Sequence, residues 1–170
     1  MDDPRLAIVV VAAGSGTRLG HETPKAFVEL HGRTILEHAL RGVFAATIPA
    51  QVIVVAPAAF VDAARAIGLR AAGAASGCLT VVAGGDTRQA SVAAGLAALA
   101  DSVQAVLVHD AARALAPSEL IDRVASAVLA GGDGGAGDDG VIPALPVIDT
   151  VKRVEGERVV AAVDRSELVA

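Results

Sequence analysis

The chain has 170 residues, enough for one domain with a real core. Hydrophobic residues make up 54% and charged residues 19%, a balance that excludes a disordered chain. A formal net charge of -5 excludes a global attraction to nucleic acid or anionic membrane, and three Phe with no Trp or Tyr exclude a base-stacking surface for single-stranded RNA.

The N-terminal Met1-Asp2-Asp3-Pro4-Arg5 lacks the charge and apolar profile of a signal peptide. The apolar run that follows is too short to span a bilayer, so a cytoplasmic protein is expected. Residues 6–12 are apolar throughout rather than alternating, which predicts a strand buried on both faces. The same reading applies to 51–56, 79–83 and 105–108. Between these strands fall helical patterns. The first begins at Thr34, where Thr34-Ile35-Leu36-Glu37 fits a capping box with Glu37 reaching back to the cap amide. Pro57 opens a second helix running to about Ile67, a third runs from about Arg88 to Ala100, and a fourth from near Pro117 to Gly131. Strands alternating with helices predict right-handed crossovers and a three-layer α/β fold on a mostly parallel sheet.

The low-complexity stretch 131–140 (GGDGGAGDDG) reads as a flexible loop, with Asp138 and Asp139 solvated rather than metal-bound. Residues 141–144 suggest a fifth strand. Residues 150–154 and 158–162 flank Glu155-Gly156-Glu157 as a hairpin that stands out as an arm. The chain stops at Ala170 without a helix stop signal, which predicts a C-terminally truncated sequence. Cys78 stands alone, so no disulfide framework or thiolate metal cluster is expected.

Chemistry concentrates in three turns at strand ends, where ligands of open α/β sheets bind. The first is Ala12-Ala13-Gly14-Ser15-Gly16-Thr17-Arg18-Leu19-Gly20. Its glycines allow close backbone approach to phosphate oxygens. It is not a Walker A loop, because no Lys follows Gly16 or Gly20, and not a dinucleotide fingerprint, because Leu19 stands where glycine is needed. A tight structural turn is the bland alternative. Arg18 can grip phosphate bidentately and Lys25, held behind Pro24, adds a compact charge, so the pairing points to phosphate binding.

The second turn, Gly84-Gly85-Asp86-Thr87-Arg88-Gln89-Ala90-Ser91, brings a glycine backbone and the Asp86 and Ser91 side chains to where a base or ribose is read by hydrogen bonds. Asp86 and Thr87 are equally suited to capping the helix that follows. The third, His109-Asp110-Ala111-Ala112-Arg113, offers Asp110 to a hard divalent cation whose remaining ligands are phosphates. Arg113 either pairs with Asp110 or binds substrate phosphate. His109 is read as structural, since no Gly-x-Ser-x-Gly elbow accompanies it, and His21, His31 and His38 as surface residues.

With these turns assembled, the chain resembles the 2-C-methyl-D-erythritol 4-phosphate cytidylyltransferases of the non-mevalonate isoprenoid pathway. The resemblance rests on 12–19 (AAGSGTRL), 24–27 (PKAF), 84–91 (GGDTRQAS), 108–113 (VHDAAR) and 146–152 (PVIDTVK), in the family's order. It implies a single nucleotidyltransferase domain over 1–170 with a Rossmann-like core and a β-arm at about 147–165 that drives homodimerisation. It implies transfer of CMP from CTP to the polyol phosphate with release of pyrophosphate, aided by Mg²⁺. Arg18 and Lys25 are then expected to stabilise the triphosphate and the transition state. Ala13, Gly14, Ser15, Gly16, Gly85, Asp86 and Ser91 would surround the nucleotide, and Asp110 would contact Mg²⁺ and the substrate region. Arg113 and Thr150 would hold the acceptor, and Arg165 matches an arm arginine that serves the partner subunit's site. The family's later Thr-Pro-Gln segment and lysine have no counterpart here. Two other readings stand beside this one: a cytidylyltransferase for ribitol phosphate or another sugar phosphate, and a nucleotide-binding dimer module without turnover.

Overall fold

A computed structural model describes residues 4–14, 23–132 and 140–170. The chain forms two compact units, Met1–Gly140 and Val141–Ala170. Their boundary falls ahead of the arm expected at about 147–165.

In the first unit the elements in chain order are β1 (Leu6–Val11), the short strands β2 (Glu29–Leu30) and β3 (Arg33–Thr34), α1 (Ile35–Phe44), β4 (Ala50–Ala56), α2 (Val61–Ala72), β5 (Leu79–Ala83), α3 (Arg88–Leu96), β6 (Ala105–Asp110) and α4 (Ser118–Gly132). Four strands form one sheet in the order β5-β4-β1-β6, and every pairing in it is parallel.

The central strands β1 and β4 are buried on both faces along most of their length, which is why they are almost wholly apolar. The burial expected of 105–108 does not hold: β6 is an edge strand with no fully buried residue, and its Val108 is 44% exposed. Ile8, Val10, Val52 and Val54 point to one face, with Leu36, Leu40 and Val43 of α1, Ile67 of α2 and Ile121 of α4. Val9, Ile53 and Val55 point to the other face. There α3 closes on the sheet, and a Cβ at Gly95 would stand 2.5 Å from Val9 Cγ1. The predicted three-layer α/β architecture is therefore present.

Local chemistry explains where elements begin and end. Thr34 caps α1 as expected, its Oγ1 accepting from Glu37 N at 3.1 Å. The Glu37 carboxylate does not complete the box; it lies 3.6 Å from Arg33 Nε and 3.5 Å from Arg70 NH2. α2 runs past Ile67 to Ala72, and Gly73 ends it at φ 53. Gly68 stays inside the helix, where a Cβ would meet Leu79 Cδ2 at 2.7 Å. α3 ends at Leu96 rather than Ala100, because Gln51 takes over the next backbone groups: its Oε1 accepts from Ala100 N and its Nε2 donates to Ala98 O, both at 3.0 Å.

β2 and β3 are joined by His31 (φ 51) and Gly32 (φ 77), both left-handed as a two-residue hairpin turn demands. His38 is half-buried rather than a surface residue, with Nε2 2.8 Å from Leu30 O. Asp122 of α4 fastens the 47–48 turn: its carboxylate accepts from Thr47 N at 2.9 Å, Ile48 N at 3.1 Å and Thr47 Oγ1 at 3.0 Å. No helix among the described residues is long and apolar enough to cross a membrane.

The second unit holds the expected hairpin. β7 (Lys152–Glu155) pairs antiparallel with β8 (Arg158–Ala162), with Gly156 at φ 58 in the turn and a register shift at Arg153/Val154. Val154 and Val159 are 57% and 63% exposed, so the hairpin leaves apolar side chains uncovered within its own unit. The fifth strand expected at 141–144 does not form. The pairing begins instead at Leu145, which exchanges both backbone hydrogen bonds with Ala170 at 2.8 Å. Pro143 and Pro146 flank the step and have no N–H to give a ladder.

Candidate active site

The carboxyl ends of β1, β5 and β6 open onto one cleft of about 810 Å³. Backbone hydrogen bonds set the relative height of its walls. Ala12 N donates to Val55 O at 2.8 Å, Gly84 N to Ala56 O at 2.8 Å and Ala111 N to Val11 O at 3.0 Å. The parallel register puts Asp110 of β6 beside Val11 of β1, so the third turn starts next to the first.

Of the residues expected at the site, Ala13, Gly14, Lys25, Gly85, Asp86, Ser91, Asp110 and Arg113 all line this cleft. Ser15, Gly16 and Arg18 lie outside the described residues, as do His21, Asp138 and Asp139. Thr150 and Arg165 belong to the second unit, where the Arg165 guanidinium donates to the backbone carbonyls of Ile148 and Asp149, just before Thr150.

The first and second turns touch through missing side chains. A Cβ on Gly84 would stand 2.5 Å from Ala13 Cβ, and one on Gly85 2.6 Å from Ala90 Cβ. Thr87 caps α3, with Oγ1 accepting from Ala90 N at 3.0 Å, so capping falls to Thr87 and Asp86 is left exposed at the cleft. Ser91 is only 2% exposed, and its Oγ lies 2.9 Å from Thr87 O and 3.2 Å from Gly85 O. Its hydroxyl thus braces the turn whose backbone faces the cleft.

Lys25 opens a single 3₁₀ turn, Lys25–Phe27, with Phe27 N donating to Pro24 O at 2.8 Å. Phe27 is buried and its ring centroid lies 4.7 Å from that of Phe60. The anchor behind Lys25 is therefore apolar and rigid, while the lysine itself is half-buried at the cleft.

Asp110 pairs with Arg88, not with Arg113. Nε and NH2 of Arg88 reach Asp110 Oδ1 at 3.1 and 3.0 Å. Among the described residues, Oδ2 of Asp110 has no hydrogen-bond partner. His109 stands next to this pair, and burial pushes its pKa below the ordinary histidine value. Asp110 pulls it back up and Arg113 presses it further down. Burial thus favours the neutral form of the imidazole. Among the described residues that line the cleft, three cations, Lys25, Arg88 and Arg113, face two carboxylates, Asp86 and Asp110. In a chain of net charge -5 this is a local positive excess suited to a polyanion.

No group of three or more His, Cys, Asp or Glu able to hold a metal exists among the described residues. The described residues alone therefore build no self-sufficient metal cage. One carboxylate with an unpartnered oxygen does fit an ion such as Mg²⁺ that brings phosphate and water ligands with it.

Comparison with known proteins gives the family and the fold. Residues 6–170 match the family model described as IspD, 2-C-methyl-D-erythritol 4-phosphate cytidylyltransferase. The chain is 55% identical over 170 residues to a bifunctional enzyme IspD/IspF of Clavibacter michiganensis, covering 99% of this chain and 40% of that protein. It is 44% identical to the 2-C-methyl-D-erythritol 4-phosphate cytidylyltransferase of Frankia casuarinae, covering 98% of this chain and 58% of that one. Its fold matches the crystal structure of 4-diphosphocytidyl-2C-methyl-D-erythritol synthase from Anaerococcus prevotii with a TM-score of 0.77 at 27% identity, covering 98% of this chain and 66% of that one. The chain thus spans 40% and 58% of the length of the first two relatives.

Proposed function

Since the chain belongs to the 2-C-methyl-D-erythritol 4-phosphate cytidylyltransferase family, we propose that its protein joins CTP to 2-C-methyl-D-erythritol 4-phosphate, forming 4-diphosphocytidyl-2-C-methyl-D-erythritol and pyrophosphate. The observation that carries this reading is the meeting of Lys25 and Asp110, from separate strand-end turns, in one cleft with a cationic excess.

The reaction is an in-line displacement. An acceptor phosphate oxygen forms a bond to the α-phosphorus of CTP as the bond to the pyrophosphate oxygen breaks. The nucleophile is already anionic, so orientation and charge stabilisation carry the rate rather than a general base. Lys25, with Arg18 seven residues before it in sequence, holds the triphosphate and offsets charge as it builds on the leaving pyrophosphate. Ala13, Gly14, Ser15, Gly16, Gly85 and Asp86 surround the nucleotide. The cytosine is read at its edges by backbone groups and by Asp86, in keeping with the lack of aromatic side chains among the described residues that line the cleft. Ser91 acts by bracing Gly85. Arg113 and Thr150 hold the acceptor. Asp110 is the residue that would hold Mg²⁺, whose chemistry when bound is to screen and orient phosphate oxygens.

The working form is a homodimer in the cytoplasm. Its arm is the β7–β8 hairpin, whose exposed valines suit burial against a second copy, and Arg165 of one protomer serves the site of the other.

The test is pyrophosphate release by the full-length protein given CTP and Mg²⁺ with methylerythritol phosphate or ribitol phosphate in turn. Turnover with methylerythritol phosphate well above ribitol phosphate is expected. Turnover only with ribitol phosphate would reassign the acceptor. CTP binding without pyrophosphate release from either would reduce the protein to a nucleotide-binding module.

A further inference from the structure

We propose that Arg88 is a positioning residue for Asp110: it holds Oδ1 so that the carboxylate meets an incoming metal–nucleotide complex in one fixed orientation. This rests on the CTP-binding reading of the cleft. Three observations carry it.

Nε and NH2 of Arg88 converge on the same oxygen, at 3.1 and 3.0 Å, leaving Oδ2 without a partner among the described residues. One oxygen is thus committed to orientation, and the other is available. A carboxylate that ligates a metal through one oxygen while a hydrogen-bond donor fixes the other is a common arrangement of outer partners around metal ligands.

The pair does not serve stability. Its side chains are 63% and 36% exposed, and an ion pair so wet contributes little to folding. Nor does the helix want a cation there. Arg88 is the first residue of α3, whose first turn holds no acidic residue to offset it. The positive end of the helix dipole lies at that turn and disfavours an arginine. Its presence is accounted for by Asp110, across the cleft mouth and 22 residues away in sequence.

The pair also adjusts charge. An unpaired Asp110 would repel a triphosphate arriving without its cation. Bound to Arg88, it presents less negative potential to the nucleotide while keeping one oxygen for the metal.

Calorimetry of CTP binding to the full-length protein, with and without magnesium chloride, tests this without relying on turnover. The quantity read is the gain in CTP affinity that Mg²⁺ provides. Arg88→Met is expected to reduce that gain by about 10-fold, as loss of an outer partner of a metal ligand does. Asp110→Asn is expected to reduce it at least as far. The double variant should be no worse than Asp110→Asn, because Arg88 acts through Asp110. Arg88→Lys should recover part of the gain. Melting temperatures should stay close to that of the parent, which separates this role from a folding defect. An unchanged gain in Arg88→Met, or additive losses in the double variant, would overturn the positioning role and leave the CTP site standing. Absence of CTP binding by the parent protein would remove the site reading and this inference together.

Discussion

Gly84 lies so close to Ala13 that a Cβ placed on it would stand 2.5 Å from the Ala13 Cβ. The same Cβ would stand 2.8 Å from Ser91 Oγ and 3.1 Å from Val55 Cγ1. The turn after β1 and the turn after β5 are thus in contact with no room for one more carbon. Gly84→Ala must push them apart. Overpacking of this kind costs about 1–3 kcal/mol. Misplacing the two nucleotide-facing turns by a fraction of an ångström to 1 Å should cost up to about 10²-fold in kcat/KM. Thermal denaturation and steady-state kinetics of the variant check both values; a large loss of stability with normal kcat/KM would refute the coupling of the turns.

Lys25 sits on an apolar anchor that does not depend on its ammonium. Lys25→Ala should therefore leave the melting temperature nearly unchanged and lower kcat by about 10²-fold, the usual effect of removing one preorganised stabiliser of transition-state charge. An unimpaired kcat would place the lysine outside the chemistry.

His109 ties stability to pH. Burial lowers its pKa in the folded protein, so the unfolded chain binds a proton at a higher pH than the folded one does. Its contribution to stability is full above 6.5, the unfolded value, and declines as pH falls from there to the lower folded value. His109→Gln cannot titrate. The difference in melting temperature between pH 7.5 and 5.5 should be smaller in the variant than in the parent. Parallel melting-temperature curves for the two proteins across that range would contradict the assignment.

Asp122 is the fastener of the turn before β4. Some desolvation raises its pKa, but hydrogen bonds from Ile48 N, Thr47 N and Thr47 Oγ1 together hold it below the ordinary aspartate value. Asp122→Ala leaves two backbone amides without their carboxylate and should lower the melting temperature by several degrees. Since the turn is remote from the cleft lining, KM for CTP should not move at temperatures where the variant is folded. Faster amide exchange at Thr47 and Ile48 would locate the effect.

The sheet was legible because burial on both faces leaves a central strand no polar positions, as in Leu6–Val11; Leu79–Ala83, at the edge, is found where its mostly apolar run lies. The three turns were legible because their residue types are costly elsewhere: paired glycines, a charge at a strand end, a lysine behind a proline. Extents were harder. The end of α3 is set by Gln51, a side chain on another strand that no local pattern reveals. The β2–β3 turn escaped because two-residue strands are too short for any periodicity, although His31-Gly32 carries the left-handed signal of such turns. The strand expected at 141–144 reads as apolar, but the backbone pairing starts at Leu145. The partner of Asp110 was left open in the sequence, where nearness offers only Arg113 as a candidate and Arg88 lies 22 residues away. The clue to Arg88 was its placement at the start of a helix, where a cation needs an outside reason.

The parallel register of β1 and β6 has a consequence for how this protein can change over generations. Val11 faces Asp110 through strand pairing, not through a contact between their side chains. The sheet therefore works as a ruler for the reaction centre. Loop residues that do not line the cleft can be exchanged without altering the spacing between the ends of β1 and β6. A slip of one notch along that ruler would bring His109 or Ala111 to the carboxylate's seat. Tolerance is thus expected in loop positions away from the cleft, and strictness both in the cleft-lining turns and in the plain aliphatic strand residues that set their register.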